Sequence, residues 1–495
     1  MPCTTLLVGR RASADGSPLV ARTEDSGAGT FDPKRVVVVR PEDQPRTYTS
    51  VLGGRTIELP VNPLRYTSIP NALPDEGIWG CAGINAAHVA MSATETITSN
   101  SRVLGADPLV VREGETPGGF GEEDFVTLVL PYIRTAREGV ERLGALLAEH
   151  GTYEMNGIAF SDAEDIWWLE TVGGHHWIAR RVPEDHYVTM PNQLGIDSFD
   201  LEDAEGPGRD HLASPDLRQF LREHRLDLTL RHGSTAGDTA FNPREAFGSH
   251  TEHDHLYNSP RAWYMQRTLS PHAEDWDAGR AGASPDSDDL PWSRRPERLL
   301  TVEDVKDVLS SHYQGTEYDP YSPRGTEAER RAFRPIGINR HNALAILQVR
   351  GGLPESHRDL QWVAYASLPF TALIPMFTNV ETAPTYLSTT GATASTDSFY
   401  WTSRMIAALA DAHFHETIPL IERYQQRTQA LGRAAVHAAE AKASEAGSTE
   451  EVPALLAAAN EEIAERIRTE TDALLGQVLF IASEGMTNRF SRSDG

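Results

Sequence analysis

The sequence contains few cysteines and no long apolar run. Among its 495 residues are two cysteines, Cys3 and Cys81, which cannot build a framework of several disulfides. No uncharged apolar stretch approaches the roughly 18 residues that a membrane-spanning helix needs. Two residues precede Cys3, so the amino terminus lacks the basic and apolar regions of a secretory leader. These absences predict a soluble protein of the reducing cytoplasm.

Positive charge is also scarce. The chain has 71 acidic side chains against 45 basic ones, which gives a formal net charge of −26. Such a surface repels the phosphates of nucleic acids and anionic lipid headgroups. We therefore expect neither nucleic acid nor membrane as a partner. The composition leaves the oligomeric state open, and a homo-oligomer is compatible with it.

Several common functional motifs are missing. The sequence has no G-x-S-x-G nucleophile elbow, no G-x-G-x-x-G dinucleotide fingerprint and no P-loop. The densest group of metal-ligand types is HTEHDH at residues 250–255, which does not have the H-E-x-x-H spacing of a zinc helix. We interpret this segment as a polar loop, and we expect no metal or cofactor.

Short strand-like runs dominate the first part of the chain and helical periodicity the last. Residues 6–8 and 19–22 flank a turn-rich cluster, which predicts a hairpin with Cys3 at the start of its first strand. Further strand-like runs lie at residues 35–39, 83–91, 157–160, 166–170, 177–182, 343–349 and 361–375. Helical spacing of apolar residues recurs at 122–150, 299–312, 399–443 and 452–475. The pattern predicts an α+β protein with layered antiparallel sheets.

A segment rich in Asp, Pro, Ser and Gly divides the chain. Residues 270–296 have no hydrophobic period, which predicts an exposed loop or insertion. We divide the chain into a first part of the core (3–270), this acidic loop (271–298), the remainder of the core (299–400) and a C-terminal helical region (401–495).

The neighbours of Cys3 make it a candidate for a reactive thiol. A lone cysteine is usually inert, because a reactive thiol needs surroundings that favour the thiolate. Across the predicted hairpin stand Arg22, which would favour the ionised thiol, and Asp25, which could hold an amine. The alternative is an ordinary surface ion pair beside a turn.

Six motifs together resemble the dipeptidase A-type family of cysteine peptidases. They are CTTLLVG from residue 3, ARTED from 21, WWLETVGGHHW from 167, MPNQ from 190, YNSPRAW from 257 and HYQGT from 312. That family belongs to the N-terminal nucleophile hydrolases, whose distant members include penicillin V acylases and bile salt hydrolases. The resemblance implies their αββα four-layer sandwich, here with added C-terminal helices.

The resemblance also implies roles for single residues. Cys3 would be the nucleophile once its α-amine is free, because that amine can take the proton of its own thiol. Arg22 would support the thiolate and Asp25 would orient the amine. Asn192 matches the amide that stabilises the oxyanion, with an ordinary turn asparagine as the alternative. Arg261 matches a second arginine of the site, with a salt bridge at a helix start as the alternative.

One position departs from the acylase branch. Where that branch has an asparagine, this chain has Glu95, which could bind the ammonium group of a short peptide or be a solvated strand-end residue. The function implied is cysteine-dependent hydrolysis of dipeptides or short peptides. An amidase for non-peptide acyl-amides and a catalytically silent scaffold of the same fold are the alternatives. Methionine aminopeptidase would remove Met1, and Cys3 would then be released from Pro2 by autoprocessing.

Overall fold

The computed structural model describes residues 3–27, 30–73, 77–228, 241–276 and 283–486. Met1 and Pro2, which bear on the predicted autoprocessing, lie outside the described residues, as does part of the predicted acidic loop. In the described residues, every pairing between named strands is antiparallel. The predicted α+β class with antiparallel sheets is therefore confirmed.

The predicted hairpin opens the chain. Strand β1 (Cys3–Val8) pairs with β2 (Leu19–Asp25), and both strands are buried along their whole length. Asp15 closes the turn, because its Oδ1 accepts hydrogen bonds from the backbone of Ser17 at 3.1 Å and from the hydroxyl of Ser13 at 2.9 Å. The register sets Cys3 opposite Glu24.

Two sheets form the centre of the molecule. The larger has the order β14 (Ser293–Arg294), β12 (Tyr187–Met190), β1, β2, β15 (His341–Val349), β16 (Asp359–Tyr365) and β17 (Ile374–Phe377). The smaller has the order β13 (His211–Ala213), β11 (His176–Arg181), β10 (Ile166–Val172), β9 (Asn156–Ser161), β8 (Ala90–Thr96) and β7 (Ala82–Ile84). Two-stranded ribbons join β3 (Val37–Val39) to β6 (Tyr66–Ser68) and β4 (Thr47–Thr49) to β5 (Thr56–Glu58).

Helices occupy the segments between and after these strands. They are α1 (Ser101–Ala106), α2 (Glu122–Val129), α3 (Ala136–His150), α4 (Leu201–Glu205), α5 (Leu217–Glu223), α6 (Pro243–Phe247), α7 (Glu252–Tyr257), α8 (Ser259–Leu269), α9 (Val302–Leu309), α10 (Thr385–Ser388), α11 (Phe399–Asp411), α12 (Phe414–Ser444) and α13 (Val452–Glu484).

The sheets contact each other through one face and carry helices on the other. Strands β1 and β2 contact β8, while α2 and α3 contact the far side of the smaller sheet and α8, α9 and α11–α13 contact the larger. Side chains of a strand alternate between its two faces. In β10, accordingly, Trp168 belongs to the core between the sheets, whereas Trp167 and Leu169 belong to the core beneath α3.

Two glycines allow α3 to lie close to the smaller sheet. A Cβ atom on Gly139 would be 2.3 Å from the ring of Phe160, and one on Gly144 would be 2.4 Å from the ring of Trp177. The helix begins at the cap of Thr135, whose hydroxyl accepts from Glu138 N at 3.1 Å.

Some predicted elements need correction. The run at 83–91 is a hairpin of β7 and β8 rather than one strand, because Asn85 Oδ1 accepts from Ala87 N at 2.9 Å and Val89 N at 3.0 Å and so turns the chain. The segment 270–296 is irregular but not simply exposed, since Trp276 and Trp292 are buried and β14 adds to the larger sheet.

Among the residues that the structure describes, none of the helices has the length and apolar character required to cross a membrane.

Candidate active site

Cys3 lies at the start of β1 with its side chain completely buried. Its Sγ accepts a hydrogen bond from Arg22 Nη1 at 3.0 Å, and its backbone N donates to Asn192 Oδ1 at 3.4 Å. Burial raises the pKa of the thiol well above its ordinary value; Arg22 opposes this shift, while the carboxylates of Glu122 and Glu95 add to it. The thiol therefore needs a base before it can act as a nucleophile.

Arg22 is held by backbone carbonyls of β8. Its Nη1 donates to Thr94 O and its Nη2 to Ala93 O, both at 2.8 Å. Successive carbonyls of a regular strand point in opposite directions, but the pairing of β8 with β9 shifts register between Ala93 and Glu95. This bulge lets neighbouring carbonyls converge on one guanidinium, which is thereby fixed against the thiol.

The guanidinium of Arg22 also reaches the second cysteine and two carboxylates. Its Nη2 lies 3.2 Å from Cys81 Sγ and 3.4 Å from Glu24 Oε2, and its Nη1 lies 3.4 Å from Glu122 Oε1. Burial disfavours the charge of Glu24, but the ion pairs with Lys34 and Arg22 hold its pKa below the ordinary value. Burial raises the pKa of the Cys81 thiol, which keeps this cysteine protonated.

Asp25 ends β2 as a fully buried carboxylate, so the alternative of a surface ion pair beside a turn is wrong for it and for Arg22. Its Oδ2 accepts from Arg334 Nη2, and its Oδ1 lies 3.2 Å from His341 Nε2. Burial lowers the pKa of His341 to about 4, which leaves its imidazole neutral near pH 7. The structure thus gives Asp25 one cationic and one neutral neighbour.

Asn192 and Arg261 meet at the backbone of Cys3. Arg261, the third residue of α8, donates from Nη1 to Cys3 O and to Thr4 Oγ1, the latter at 2.7 Å. Its Nη2 donates to Asn192 Oδ1 at 2.8 Å. Asn192 Nδ2 donates to Thr96 O at 2.9 Å. The segment after strand β12 and the first turn of helix α8 therefore bring an amide and a guanidinium to the backbone of Cys3.

Glu95 is buried, so the alternative of a solvated strand-end residue is wrong. Its Oε2 accepts from Thr5 Oγ1 at 2.8 Å, whereas its Oε1 has no hydrogen-bond partner in the described part of the chain. Burial raises the pKa of Glu95 to about 8, against the opposing charges of Arg261 and Arg22.

Three residues of this polar interior escaped sequence reasoning: Glu122, Arg334 and His341. His341 reaches Asp25 because β15 pairs with β2, a pairing between segments more than 300 residues apart that no local pattern reveals. Glu122 begins α2, where an acidic residue is ordinarily taken for a solvated one that favours the helix dipole. Recognising these residues would require the sheet order and the depth of α2.

The segment 250–255 is not the predicted polar loop. Thr251 caps α7 and forms a capping box with Asp254, whose backbone N donates to the Thr251 hydroxyl at 3.3 Å. The T-x-x-D spacing was the overlooked signal for this helix. Within the ranges that the structure describes, no group of three or more His, Cys, Asp or Glu side chains could hold a metal ion.

Comparison with known proteins adds independent evidence. The model of peptidase family C69 matches residues 2–427. The chain is 53% identical to a dipeptidase of Bifidobacterium longum and 53% identical to a probable dipeptidase A of Streptococcus pyogenes serotype M3, in both cases over 100% of each chain. It is 42% identical to dipeptidase A of Lactobacillus helveticus over 99% of each chain. The chain therefore belongs to peptidase family C69.

Proposed function

We propose that this peptidase hydrolyses dipeptides through an acyl-enzyme on Cys3. The observation that carries the proposal is the buried thiol at the start of β1, hydrogen-bonded to Arg22, with Asn192 and Arg261 at its backbone. The names of the C69 relatives that match the whole chain support a dipeptide as the substrate.

The base in this mechanism is the α-amine of Cys3 after residues 1–2 are removed. A free α-amine has an ordinary pKa of about 7.7–8.0, so it can accept the thiol proton near neutral pH. The thiolate attacks the scissile carbonyl, and the amine passes its proton to the departing amino group as the C–N bond breaks. Water, deprotonated by the same amine, then cleaves the thioester and restores the thiol.

Neighbouring groups support these steps. Arg22 stabilises the thiolate with its charge, and Asp25 orients the α-amine while its charge is shared with Arg334. The Asn192 amide has a second N–H besides the one donated to Thr96 O, and this N–H stabilises the oxyanion. Arg261 holds Asn192 and the Cys3 carbonyl in place. Glu95 receives positive charge of the substrate.

We also assign the fold to the αββα sandwich of N-terminal nucleophile hydrolases. The support is the contact of two antiparallel sheets, the helices on their outer faces and the cysteine at the beginning of a central strand. The division at 270, 298 and 400 is kept as a proposal, with the C-terminal helices as an addition to this core. A catalytic thiol that must stay reduced fits a cytoplasmic location.

Maturation uses the same nucleophile. The Cys3 thiol attacks the Pro2 carbonyl, the peptide bond between Pro2 and Cys3 breaks, and the acyl group moves to sulfur while the Cys3 amine is freed. Water then hydrolyses the thioester and releases Pro2, once methionine aminopeptidase has removed Met1. Intact-mass and N-terminal analysis tests this step: active wild-type protein should begin at Cys3, and Cys3→Ala should retain Pro2 and be inactive.

Two outcomes would contradict the proposal. Fully active enzyme that still carries Pro2 would exclude the α-amine as the base. Loss of activity with a chelator, restored by zinc, would replace the thiol mechanism with a metal-dependent one. Iodoacetamide should abolish activity and label Cys3, as peptide mapping by mass spectrometry would report. Faster hydrolysis of non-peptide acyl-amides than of dipeptides would favour an amidase.

A further inference from the structure

Tyr257, the last residue of α7, lies beside two guanidinium groups of the candidate active site. The Cζ atom of Arg261 is 5.0 Å from the centroid of its ring, and the Cζ atom of Arg334 is 4.9 Å from it. The Tyr257 hydroxyl accepts a hydrogen bond from Arg340 Nη2 at 3.2 Å. No step of the proposed mechanism uses this partly buried ring.

Arg261 carries a buried charge that is balanced by neutral groups. The side chain is completely buried, and no carboxylate forms an ion pair with it in the part of the chain that the structure describes. All of its N–H donors are used on uncharged oxygen atoms, namely Cys3 O, Thr4 Oγ1, Asn192 Oδ1, Asn258 Oδ1 and Tyr257 O. The negative face of an aromatic ring is a further favourable neighbour for such a cation.

Arg334 brings a second positive charge to the same ring. Burial, followed by the charge of Arg334, lowers the pKa of Arg261 to about 10, although the carboxyl group of Glu95 opposes this shift. Arg334 is itself paired, because its Nη2 donates to Asp25 Oδ2. The repulsion between the two guanidinium groups therefore acts mainly against the position of Arg261, and the ring of Tyr257 offsets it.

We propose that Tyr257 is a positioning residue, whose aromatic face keeps Arg261 in place beside Arg334 and so holds the Asn192 amide at the nucleophile. The inference rests on the proposed function, in which Asn192 stabilises the oxyanion. Arg261 Nη2 donates to Asn192 Oδ1 at 2.8 Å, which leaves the Nδ2 side of the amide for the oxyanion. Loss of the aromatic face should therefore slow the chemical step without weakening substrate binding.

Two substitutions separate the ring of Tyr257 from its hydroxyl. Tyr257→Phe keeps the aromatic face, so its kcat for alanyl-alanine should stay within about 3-fold of wild type. Tyr257→Leu removes the face, so its kcat should fall by about 30-fold or more with KM nearly unchanged, as for a misplaced oxyanion donor. Equal losses in both variants would assign the effect to the hydroxyl and overturn the proposal. A folded Tyr257→Leu protein with wild-type kcat would also overturn it.

His253→Ala is the matched control. The His253 ring stacks on the Tyr257 ring with 4.9 Å between the centroids, but this side chain is exposed and lies one turn before Tyr257, whereas Arg261 lies one turn after it. The substitution removes a packing partner of the ring and leaves the guanidinium contacts, so kcat should equal that of wild type. A loss as large as that of Tyr257→Leu would show that packing of the ring sets the rate, and would contradict the proposal.

Fluorinated phenylalanines at position 257 test the attraction itself, and they remain informative if Tyr257→Leu does not fold. Fluorine withdraws electrons from the face of the ring and nearly preserves its shape, so it weakens the contact with a cation. From phenylalanine through difluorophenylalanine to pentafluorophenylalanine, kcat should fall stepwise by about 10-fold in total, while circular dichroism reports a folded protein. Equal kcat values across this series would overturn the proposal.

A double substitution tests whether the ring acts through Asn192. In an Asn192→Ala background there is no amide to misplace, so adding Tyr257→Leu should change kcat by no more than about 3-fold. The full loss in that background would contradict the proposal, because the ring would then act by another route. Failure of the proposed function looks different: Cys3→Ala would keep hydrolysing dipeptides, whatever the variants at Tyr257 do.

Discussion

The interior around Cys3 and the interface of the two C-terminal helices are both buried, but the first contains charged side chains and the second contains apolar ones. Around the thiol, Arg22, Glu24 and Lys34 are removed from solvent with their charges paired. Between α12 and α13, apolar residues such as Leu456 and Ile467 are buried at helical spacing. The few polar side chains there are neutral, as in the 2.8 Å contact between the hydroxyls of Tyr424 and Thr471.

This difference indicates that the interior around Cys3 is arranged for chemistry and the helix pair for stability. Buried charges stabilise a fold less well than apolar residues of the same size, because each must be taken out of water. A region that retains four or more of them around a thiol is therefore a candidate for catalysis. The described residues of α12 and α13 include no comparable group of fully buried charges. The packing of these helices on β17 contributes to holding the larger sheet.

The largest effect on stability should follow removal of Arg22. Arg22→Ala leaves the carboxylates of Glu24 and Glu122 without this partner, which should cost about 3–5 kcal/mol of unfolding free energy and abolish activity. Denaturant titration measures the loss. Arg433→Ala is the control from α12: its ion pair with Glu303 is partly exposed, so the loss should be about 1 kcal/mol or less. Equal losses would remove the distinction between the two regions.

Asp25→Asn should lower the rate of the reaction and leave the protein folded. The amide keeps the shape of the side chain but cannot carry the charge that orients the Cys3 amine. We expect kcat to fall by about 10²-fold, as for other positioned acid–base groups, while the variant stays folded by circular dichroism. Wild-type turnover in a soluble Asp25→Asn protein would exclude the role assigned to this carboxylate.

Leu456→Ala should produce the reverse result in the helix pair. Leu456 is fully buried in α13. Truncating a buried leucine costs about 2–4 kcal/mol through lost burial and the cavity left behind, so the thermal midpoint should fall. At a temperature where the variant is folded, its kcat should equal that of wild type. A drop in kcat there would mean that the helices act on the site as well as on stability.

The same contrast explains what the sequence could predict. Helical periodicity locates α12 and α13, and the turn at Asp15 and Gly16 locates the first hairpin, because both signals are local. Cys3, Arg22 and Asp25 lie on that hairpin and could be proposed together. Arg334 and His341 approach Asp25 only through the pairing of distant strands.

Buried carboxylates are a second limit of sequence reasoning. Glu95 and Glu122 look like surface residues in the sequence, since acidic side chains are seldom fully buried. Their burial follows from the stacking of β8 and α2 over the hairpin, which depends on the whole fold. The resemblance of the motifs to the dipeptidase family identified Asn192 and Arg261 as candidates for the site. Local patterns alone would also allow an ordinary turn residue and a salt bridge at these positions.

The smallest predicted effect concerns Glu95 and has a definite sign with pH. Its pKa rises from an ordinary 4.5 to about 8 in the folded protein, so folding favours the protonated carboxyl. The contribution of the protonated carboxyl to the free energy of unfolding is fully present below pH 4.5, and it is lost as the pH rises to 8. Glu95→Gln, which keeps an acceptor for Thr5, should therefore stabilise the protein by on the order of 2 kcal/mol above pH 8 and by little near pH 4.5.

Denaturant titrations of both proteins at pH 5, 7 and 9 would measure this difference. Glu465→Gln on the solvent-facing side of α13 is the control, and it should show no gain that grows with pH, because an exposed carboxylate is solvated in both states. A wild type more stable than Glu95→Gln at pH 9 would mean that Arg261 and Arg22 outweigh the burial of this carboxylate. Glu95 would then be a paired charge like those beside it, and no longer an acceptor waiting for the substrate's ammonium group.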